Sequence, residues 1–156
     1  MSNHETRWQP CRPDGCPTRL DLPSPRQETF LHGLHDVRHV MSGEWTWDTL
    51  VALYDGPLRF THLRDTIRDL NTEAKWPGRK HLHLRDGPLN RTLRRLEQAE
   101  LVRHTRESGF PRPATYELLP TARELLASAT PLALWAEAHP ELLDRVRKRR
   151  EEESSG

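Results

Sequence analysis

The chain has 156 residues, of which 34% are hydrophobic and 30% are charged, and its net charge is +1. This is long enough for one domain with a hydrophobic core, and the composition is typical of a small globular domain with charged ends. The apolar runs are too short to span a membrane and the first residues are not a secretion signal, so we expect a cytoplasmic protein.

The first predicted segment, residues 1–26, is a disordered arm that contains five prolines, too many for a regular helix or strand. Its Cys11 and Cys16 have a spacing that fits none of the strong zinc patterns, and a structural disulfide is unexpected in the cytosol. Residues 27–144 are predicted to form the folded domain. Residues 145–156 are predicted to be a charged, frayed tail.

Three helices are predicted to begin the domain. Apolar residues at steps of three and four indicate a first helix from Glu28, and Ser42-Gly43 marks its end. A second helix is predicted from Trp45 to Tyr54, and a third, capped by Thr61, runs through Ile67. The apolar stripe of the first helix consists of Phe30, Leu31, Leu34, Val37, Val40 and Met41.

A long loop is predicted next, over residues 68–84, and Asp86 is a plausible N-cap for the helix that follows it, over residues 87–100. The leucine spacing gives that helix one apolar face, formed by Leu89, Leu93 and Leu96. The opposite face carries Arg91, Arg94, Arg95 and Gln98.

Two strands and a last helix complete the predicted order. Residues 101–106 and 114–118 have strand character, and residues 108–113 between them are typical of a hairpin tip. Thr121 can cap the last helix, in which Pro131 requires a kink or a restart. The class is therefore mainly α with a small β-hairpin (α+β), and the order of elements is that of a winged helix-turn-helix with N- and C-terminal helices.

Positive charge is concentrated in one part of the chain. Residues 75–106 hold nine Lys/Arg and three acids, so the rest of the chain is net acidic. Such a concentration is typical of a phosphate-binding surface, although a solvated helix surface would look the same. An α-helix fits the major groove of DNA, where arginine can bind guanine and Asn90 can bind adenine, each through two hydrogen bonds.

These observations predict double-stranded DNA as a partner. The basic residues of the loop and of the hairpin would add phosphate contacts to those of the helix. The residues predicted to contact DNA are Asn90, Arg91, Arg94, Arg95, Arg79, Lys80, Arg64, Arg106 and Arg112.

Several short motifs in the same order resemble those of the HxlR-type winged-helix transcriptional regulators, over roughly residues 34–139. They are Gly43-Glu44-Trp45-Thr46, Gly56-Pro57-Leu58-Arg59-Phe60 with Leu63-Arg64 and Ile67, Leu93-Arg94-Arg95-Leu96-Glu97 with Leu101-Val102, Tyr116-Glu117-Leu118-Leu119-Pro120, Leu125-Leu126 and Trp135-Ala136-Glu137.

The resemblance implies a homodimer that binds a two-fold-symmetric operator, with the first and last helices at the dimer interface. Three features depart from the family. Glu44 replaces its usual lysine, residues 68–84 contain an insertion, and the cysteine of redox-sensing members would fall near His35. The implied interface residues are Phe30, Leu31, Leu34, Val37, Met41, Leu125, Leu132 and Trp135.

Other functions stay open at this point. His81 and His83 with Cys11 and Cys16 would suit a metal- or thiol-responsive sensor, although no metal ligand is assigned. A protein-interaction module without DNA binding is a further alternative. A regulator could also bind a small-molecule effector, which the sequence does not identify. No cofactor is expected, and the absence of a nucleophile elbow, of HExxH and of a phosphate-binding glycine loop argues against an enzyme.

Overall fold

The computed structural model of the chain describes residues 28–71, 83–106, 108 and 114–155. Helices and three short strands follow one another in these residues, which confirms the predicted mainly α class. The elements in chain order are α1 (Glu28–Val40), α2 (Thr46–Ala52), β1 (Leu58–Arg59), α3 (Phe60–Leu70), α4 (Asp86–Gln98), β2 (Val102–Arg106), β3 (Ala114–Leu118), α5 (Pro120–Glu137) and α6 (Pro140–Ser155).

The chain divides into two units, Met1–Val37 and Arg38–Gly156, and α1 runs from the first into the second. The predicted stripe on α1 is present, but no residue of this helix is buried. Leu31, Leu34 and Val37 are 50%, 53% and 45% exposed. The helix ends where the Ser42 hydroxyl donates to the His39 carbonyl at 2.6 Å, one residue before Gly43 with its φ of +131°.

The hydrophobic core of the second unit lies where α2, α3 and α4 meet the sheet. Because residues three and four apart share a helix face, each helix contributes leucine or isoleucine at that spacing. This confirms the inward faces predicted for α3 and α4. The fully buried hydrophobic side chains are Leu50, Leu53, Leu63, Ile67, Leu84, Leu89, Leu96 and Val102.

The sheet has three antiparallel strands in the order β1-β3-β2. The predicted hairpin strands pair from Val102 with Leu118 to Arg106 with Ala114, which confirms them. Strand β1, at Leu58–Arg59, was not predicted. Two residues are too few for an alternating pattern, so only pairing with β3 defines them.

The predicted caps lie inside their helices. Asp86 is the first residue of α4, and Arg85 is the N-cap, without a side-chain cap hydrogen bond. The Asp86 carboxylate accepts a hydrogen bond from Arg64 at 3.1 Å instead. Its charge still lies in the first turn of α4, where the helix dipole favours an acid.

Thr61 and Thr121 are likewise the second residues of α3 and α5. The Thr121 hydroxyl donates to the Glu100 carbonyl at 2.8 Å, so it joins the start of α5 to the end of α4. Helix α5 continues through Pro131 without the restart that was an alternative at this position.

The frayed end predicted for the tail is wrong, because residues from Pro140 to Ser155 form α6. Charged side chains one turn apart support the helix, as in the pair Arg147–Asp144 at 2.7 Å. In the sequence, residues 145–153 are mostly a basic run followed by three glutamates, and this pattern drew attention away from the helical spacing of opposite charges.

Candidate nucleic-acid interface

The outer face of α4 is set by its inner face. Leu89, Leu93 and Leu96 are buried in the core, so the residues between them face outward. Asn90, Arg91 and Arg94 are exposed, as the sequence predicts. The helix therefore presents two guanidinium groups and one amide to solvent within about one turn.

Arg91 and Arg94 form no ion pair and no hydrogen bond with any residue in the part of the chain that the structure describes. Most other arginines near the sheet and α3 are paired. Arg103 lies 3.3 Å from Glu117, and Arg64 lies 3.0 Å from Asp65. The charges of Arg91 and Arg94 are thus exposed and in no ion pair with a described carboxylate.

One edge of α4 forms a cleft with the sheet, which we call the strand-side cleft. It has a volume of about 210 Å³. Three residues predicted to contact DNA come together here, Asn90, Arg94 and Arg106. The cleft is also lined by Leu93, Glu97, His104 and Tyr116.

His104 and Tyr116 line the strand-side cleft from the sheet. Their rings stack with centroids 4.7 Å apart and planes within 5° of parallel. Burial, and secondarily the charge of Glu97, raises the pKa of the Tyr116 phenol, while Arg106 acts in the opposite direction. The two closely packed rings thus line the same cleft as the exposed Arg94 and Arg106.

The other edge of α4 faces the segment that precedes α2, and we call the space there the Gly43 cavity. Its volume is about 320 Å³. It is lined by Gly43, Glu44, Trp45, Pro88, Arg91, Thr92 and Arg95. Arg91 borders this cavity with its exposed side chain, whereas Arg95 reaches into the protein.

The sequence placed Arg95 on the solvent face with Arg91 and Arg94, and this is corrected by the structure. Its side chain is half-buried, and its Nη2 donates a hydrogen bond to the Thr46 hydroxyl. The reason is the 100° turn between neighbouring helix residues, which moves Arg95 from the outer face to its border. There it meets Gly43, which has no side chain to exclude it.

Arg64 on α3, another predicted DNA contact, is held in ion pairs with Asp65 at 3.0 Å and Asp86 at 3.1 Å. These hydrogen bonds raise the pKa of its guanidinium, that with Asp86 most. Its side chain is 24% exposed. A contact with DNA would therefore have to be shared with two carboxylates that already bind it.

Solved structures with the same fold are transcriptional regulators by their descriptions. A regulator of the MarR family from Enterococcus faecalis matches with a TM-score of 0.58 and 18% identity, over 74% of this chain and 92% of that one. The redox regulator HypR in its reduced form matches with a TM-score of 0.57 and 20% identity, over 72% and 98%. YodB from B. subtilis, treated with diamide, matches with a TM-score of 0.53 and 22% identity, over 69% and 92%.

The chain has the winged helix-turn-helix fold. In this fold α3 and α4 occupy the positions of the helix-turn-helix, and β2 with β3 that of the wing. By its position we call α4 the recognition helix. No family model matches the sequence. No curated protein matches it either.

Several predicted residues lie outside the described part of the chain. These are Arg79 and Lys80 of the insertion, Arg112 of the wing tip, and His81, Cys11 and Cys16 of the metal alternative. His83 is described and exposed. Over the ranges that the structure describes, no three His, Cys, Asp or Glu residues are close enough together to hold a metal ion.

The predicted dimer residues fall into two groups. Leu132 and Trp135 on α5 are 70% and 50% exposed, and the α1 stripe is half-exposed as described above. Met41, by contrast, is buried in the core of the second unit, so it is not a surface residue of the single chain. Phe30 and Leu125 are partly buried.

Sequence reasoning missed three residues of the interface region, His104, Tyr116 and Thr46. A signal existed for the first two, because His104 pairs with Tyr116 in the antiparallel register of β2 and β3. Alternation along each strand would have placed both rings on one face. Thr46 was named only as part of a family motif, and nothing in the sequence indicated its contact with α4, which spans 49 residues.

An apolar groove with a volume of about 410 Å³ lies between α2 and α5. Trp47 and Val51 line it from α2 and Tyr54 from the turn that follows α2, and all three are about half-exposed. Leu126, Ala129 and Ala133 line it from α5. No helix among the described residues is long and apolar enough to cross a membrane.

Proposed function

We propose that this protein is a DNA-binding transcriptional regulator that acts as a homodimer on a two-fold-symmetric operator. The observation that carries the proposal is the pair of exposed arginines, Arg91 and Arg94, on the outer face of the recognition helix, which have no polar partner among the described residues. An arginine in this setting is free to bind a base edge or a phosphate. The proposal includes no catalytic step and no cofactor, and it places the protein in the cytoplasm.

The recognition helix would enter the major groove with its outer face towards the bases. Arg94 and Asn90 border the strand-side cleft together, so they would approach neighbouring base pairs. Arg106 lies on the wing at the same cleft and would bind the phosphate backbone. The helix would thus supply base contacts and the wing would supply orientation.

Exposed apolar residues support the homodimer. Leu132 and Trp135 on α5, and the stripe Leu31, Leu34 and Val37 on α1, expose large apolar side chains to water. Burial of such side chains is the main driving force of stable association. A two-fold dimer would present two recognition helices to half-sites about one helical turn apart. The narrower assignment to the HxlR-type regulators rests on the sequence motifs and belongs to this proposal.

The DNA-binding part is tested with the full chain and a labelled fragment of its own promoter region. Binding is measured by fluorescence anisotropy over a series of salt concentrations. We expect log K to fall linearly with log salt, by about 0.9 for each phosphate that is neutralised. The double variant Arg91→Ala/Arg94→Ala should lose specific binding, whereas Arg123→Ala, an arginine of α5, should bind normally.

Absence of any salt-dependent affinity in the unmodified protein would overturn the proposal and favour a protein-interaction module. A normal affinity of the double variant would leave DNA binding in place but remove the recognition helix as the reading element.

The homodimer is tested by analytical ultracentrifugation of matched leucine variants. Leu132→Ser on α5 should weaken the dimer, because it removes an apolar side chain that is 70% exposed in the single chain. Leu70→Ser, at the end of α3 and 49% exposed, lies outside the proposed interface and should leave the dimer unchanged. A monomeric unmodified protein, or equal effects of both variants, would contradict the proposed interface.

A further inference from the structure

Arg95 makes contacts unlike those of the other arginines on α4. Its guanidinium lies against Gly43 so closely that a Cβ at that position would overlap with Nη2 and lie 2.9 Å from Cζ. Gly43 also has a φ of +131°, in the region that favours glycine. Both the missing side chain and the backbone conformation of Gly43 therefore suit the approach of Arg95.

The acceptor of Arg95 is buried. Thr46, the first residue of α2, is fully buried and its hydroxyl accepts the hydrogen bond from Nη2. The same hydroxyl donates to the Ser42 carbonyl at 3.4 Å. A series of polar contacts thus leads from the recognition helix through the start of α2 to the turn that ends α1.

Arg95 also occupies a decisive place in α4. Arg91 is one turn before it and Arg94 is its neighbour in sequence. A fixed Arg95 therefore restricts the rotation of α4 about its axis, and with it the directions in which Arg91 and Arg94 leave the helix. The leucines of the inner face are apolar and non-directional in their packing. A hydrogen bond from a planar guanidinium adds direction to the contact.

We propose that Arg95 is a positioning residue, which holds the recognition helix against Gly43 and Thr46 and so sets the direction in which Arg91 and Arg94 reach DNA. This inference rests on the proposed function. It assigns to Arg95 a role without DNA contact, in place of the base or phosphate contact that its sequence position suggests.

The test uses Thr46→Val in the full chain, which removes the acceptor of Arg95 and keeps the shape of the side chain. Thr46 is fully buried and does not reach DNA, so a change in DNA binding must act through its neighbours. We expect specific affinity for the promoter fragment to fall about tenfold, the loss of one base contact. The salt dependence should stay unchanged, because no phosphate contact is lost. Thr46→Ser retains the hydroxyl and should bind as the unmodified protein does.

Arg95→Met provides the second arm of the experiment. It keeps the apolar stem and removes the donors, so it should weaken specific binding by the same factor as Thr46→Val. The double variant should be no weaker than either single variant, because both remove the same contact. Circular dichroism at the measuring temperature confirms that each variant is folded. If Thr46→Val does not fold, the comparison of Arg95→Met with Arg91→Met decides.

Two results would overturn the positioning role. One is a decrease of about 0.9 in the salt slope of Arg95→Met, equal to that of Arg91→Met, which is the signature of a direct phosphate contact. The other is normal specific affinity of folded Thr46→Val and Arg95→Met. If the unmodified protein shows no salt-dependent affinity for DNA, the proposed function fails, and the positioning role fails with it. This outcome is distinguishable from the other two because it is observed without any variant.

Discussion

The two edges of the recognition helix carry the same type of residue in different settings. On the strand-side cleft, Arg94 is exposed, has no polar partner among the described residues and shares the cleft with the stacked rings of His104 and Tyr116. On the Gly43 cavity, Arg95 is half-buried and donates to a buried threonine. The two arginines are adjacent in sequence, yet one faces solvent and the other faces the protein.

The difference shows that accessibility, rather than residue type, separates a reading residue from a supporting one. Arg94 has no bond to give up, so its hydrogen-bonding groups are available to a base or phosphate. Arg95 would have to leave Thr46 and Gly43 first, and a polar group left without its partner is costly in a buried place. Under the proposed function, this one basic helix would combine an edge that reads DNA with an edge that holds the helix in place.

The largest expected effect comes from the inner face, on which both edges depend. Leu89→Ala should lower the free energy of unfolding by about 2–5 kcal/mol, because Leu89 is fully buried and its removal leaves a cavity. Urea unfolding measures the effect. Leu70→Ala, 49% exposed, is the control and should change stability by less than about 0.5 kcal/mol. Equal changes in the two variants would mean that the inner face of α4 is wrongly assigned.

The next effect separates the two edges by sequence specificity. Arg94→Ala should cost about 1–3 kcal/mol of binding to the preferred operator and relax the preference at one base position, because a bidentate contact is lost. Binding to a panel of operators with single base changes measures this preference. Arg95→Ala should weaken the preferred operator without relaxing the preference at any single position. If Arg95→Ala, and not Arg94→Ala, relaxes the base preference at one operator position, the assignment of the two edges is wrong.

A smaller effect concerns the end of the same helix. Glu100 follows α4 with a φ of +55°, a left-handed conformation that costs an L-residue other than glycine or asparagine about 1 kcal/mol. Glu100→Gly should therefore raise the free energy of unfolding by about 0.5–1 kcal/mol, as thermal or urea unfolding would measure. DNA affinity should not change, since neither edge is altered. A loss of stability would show that the Glu100 side chain contributes more than the strain costs.

Local patterns predicted much of this fold. The leucine spacing of α4 and the strand character of β2 and β3 depend on neighbours a few residues away, and both are confirmed. The brace at Arg95 and strand β1 depend on contacts with residues that are distant in sequence, and neither was predicted. The buried Met41 was assigned to an interface because the family resemblance places the first helix there, and the apolar pattern of that helix does not show what covers each residue. Exposed Asn90, Arg91 and Arg94 were found because the buried leucines determine the outer face.

The smallest expected effect concerns Tyr116, which lines the strand-side cleft together with Arg94. Burial raises the pKa of Tyr116 above its ordinary value of 10, so the folded state favours the neutral phenol. The unfolded chain ionises first as pH rises, and this contribution to stability is complete below pH 10 and is lost as pH rises through the folded pKa. The difference in tyrosinate absorbance between the unmodified protein and Tyr116→Phe should therefore have its midpoint above pH 10. A midpoint at or below that value would mean that the ring is solvated, and that the strand-side cleft is open down to the sheet.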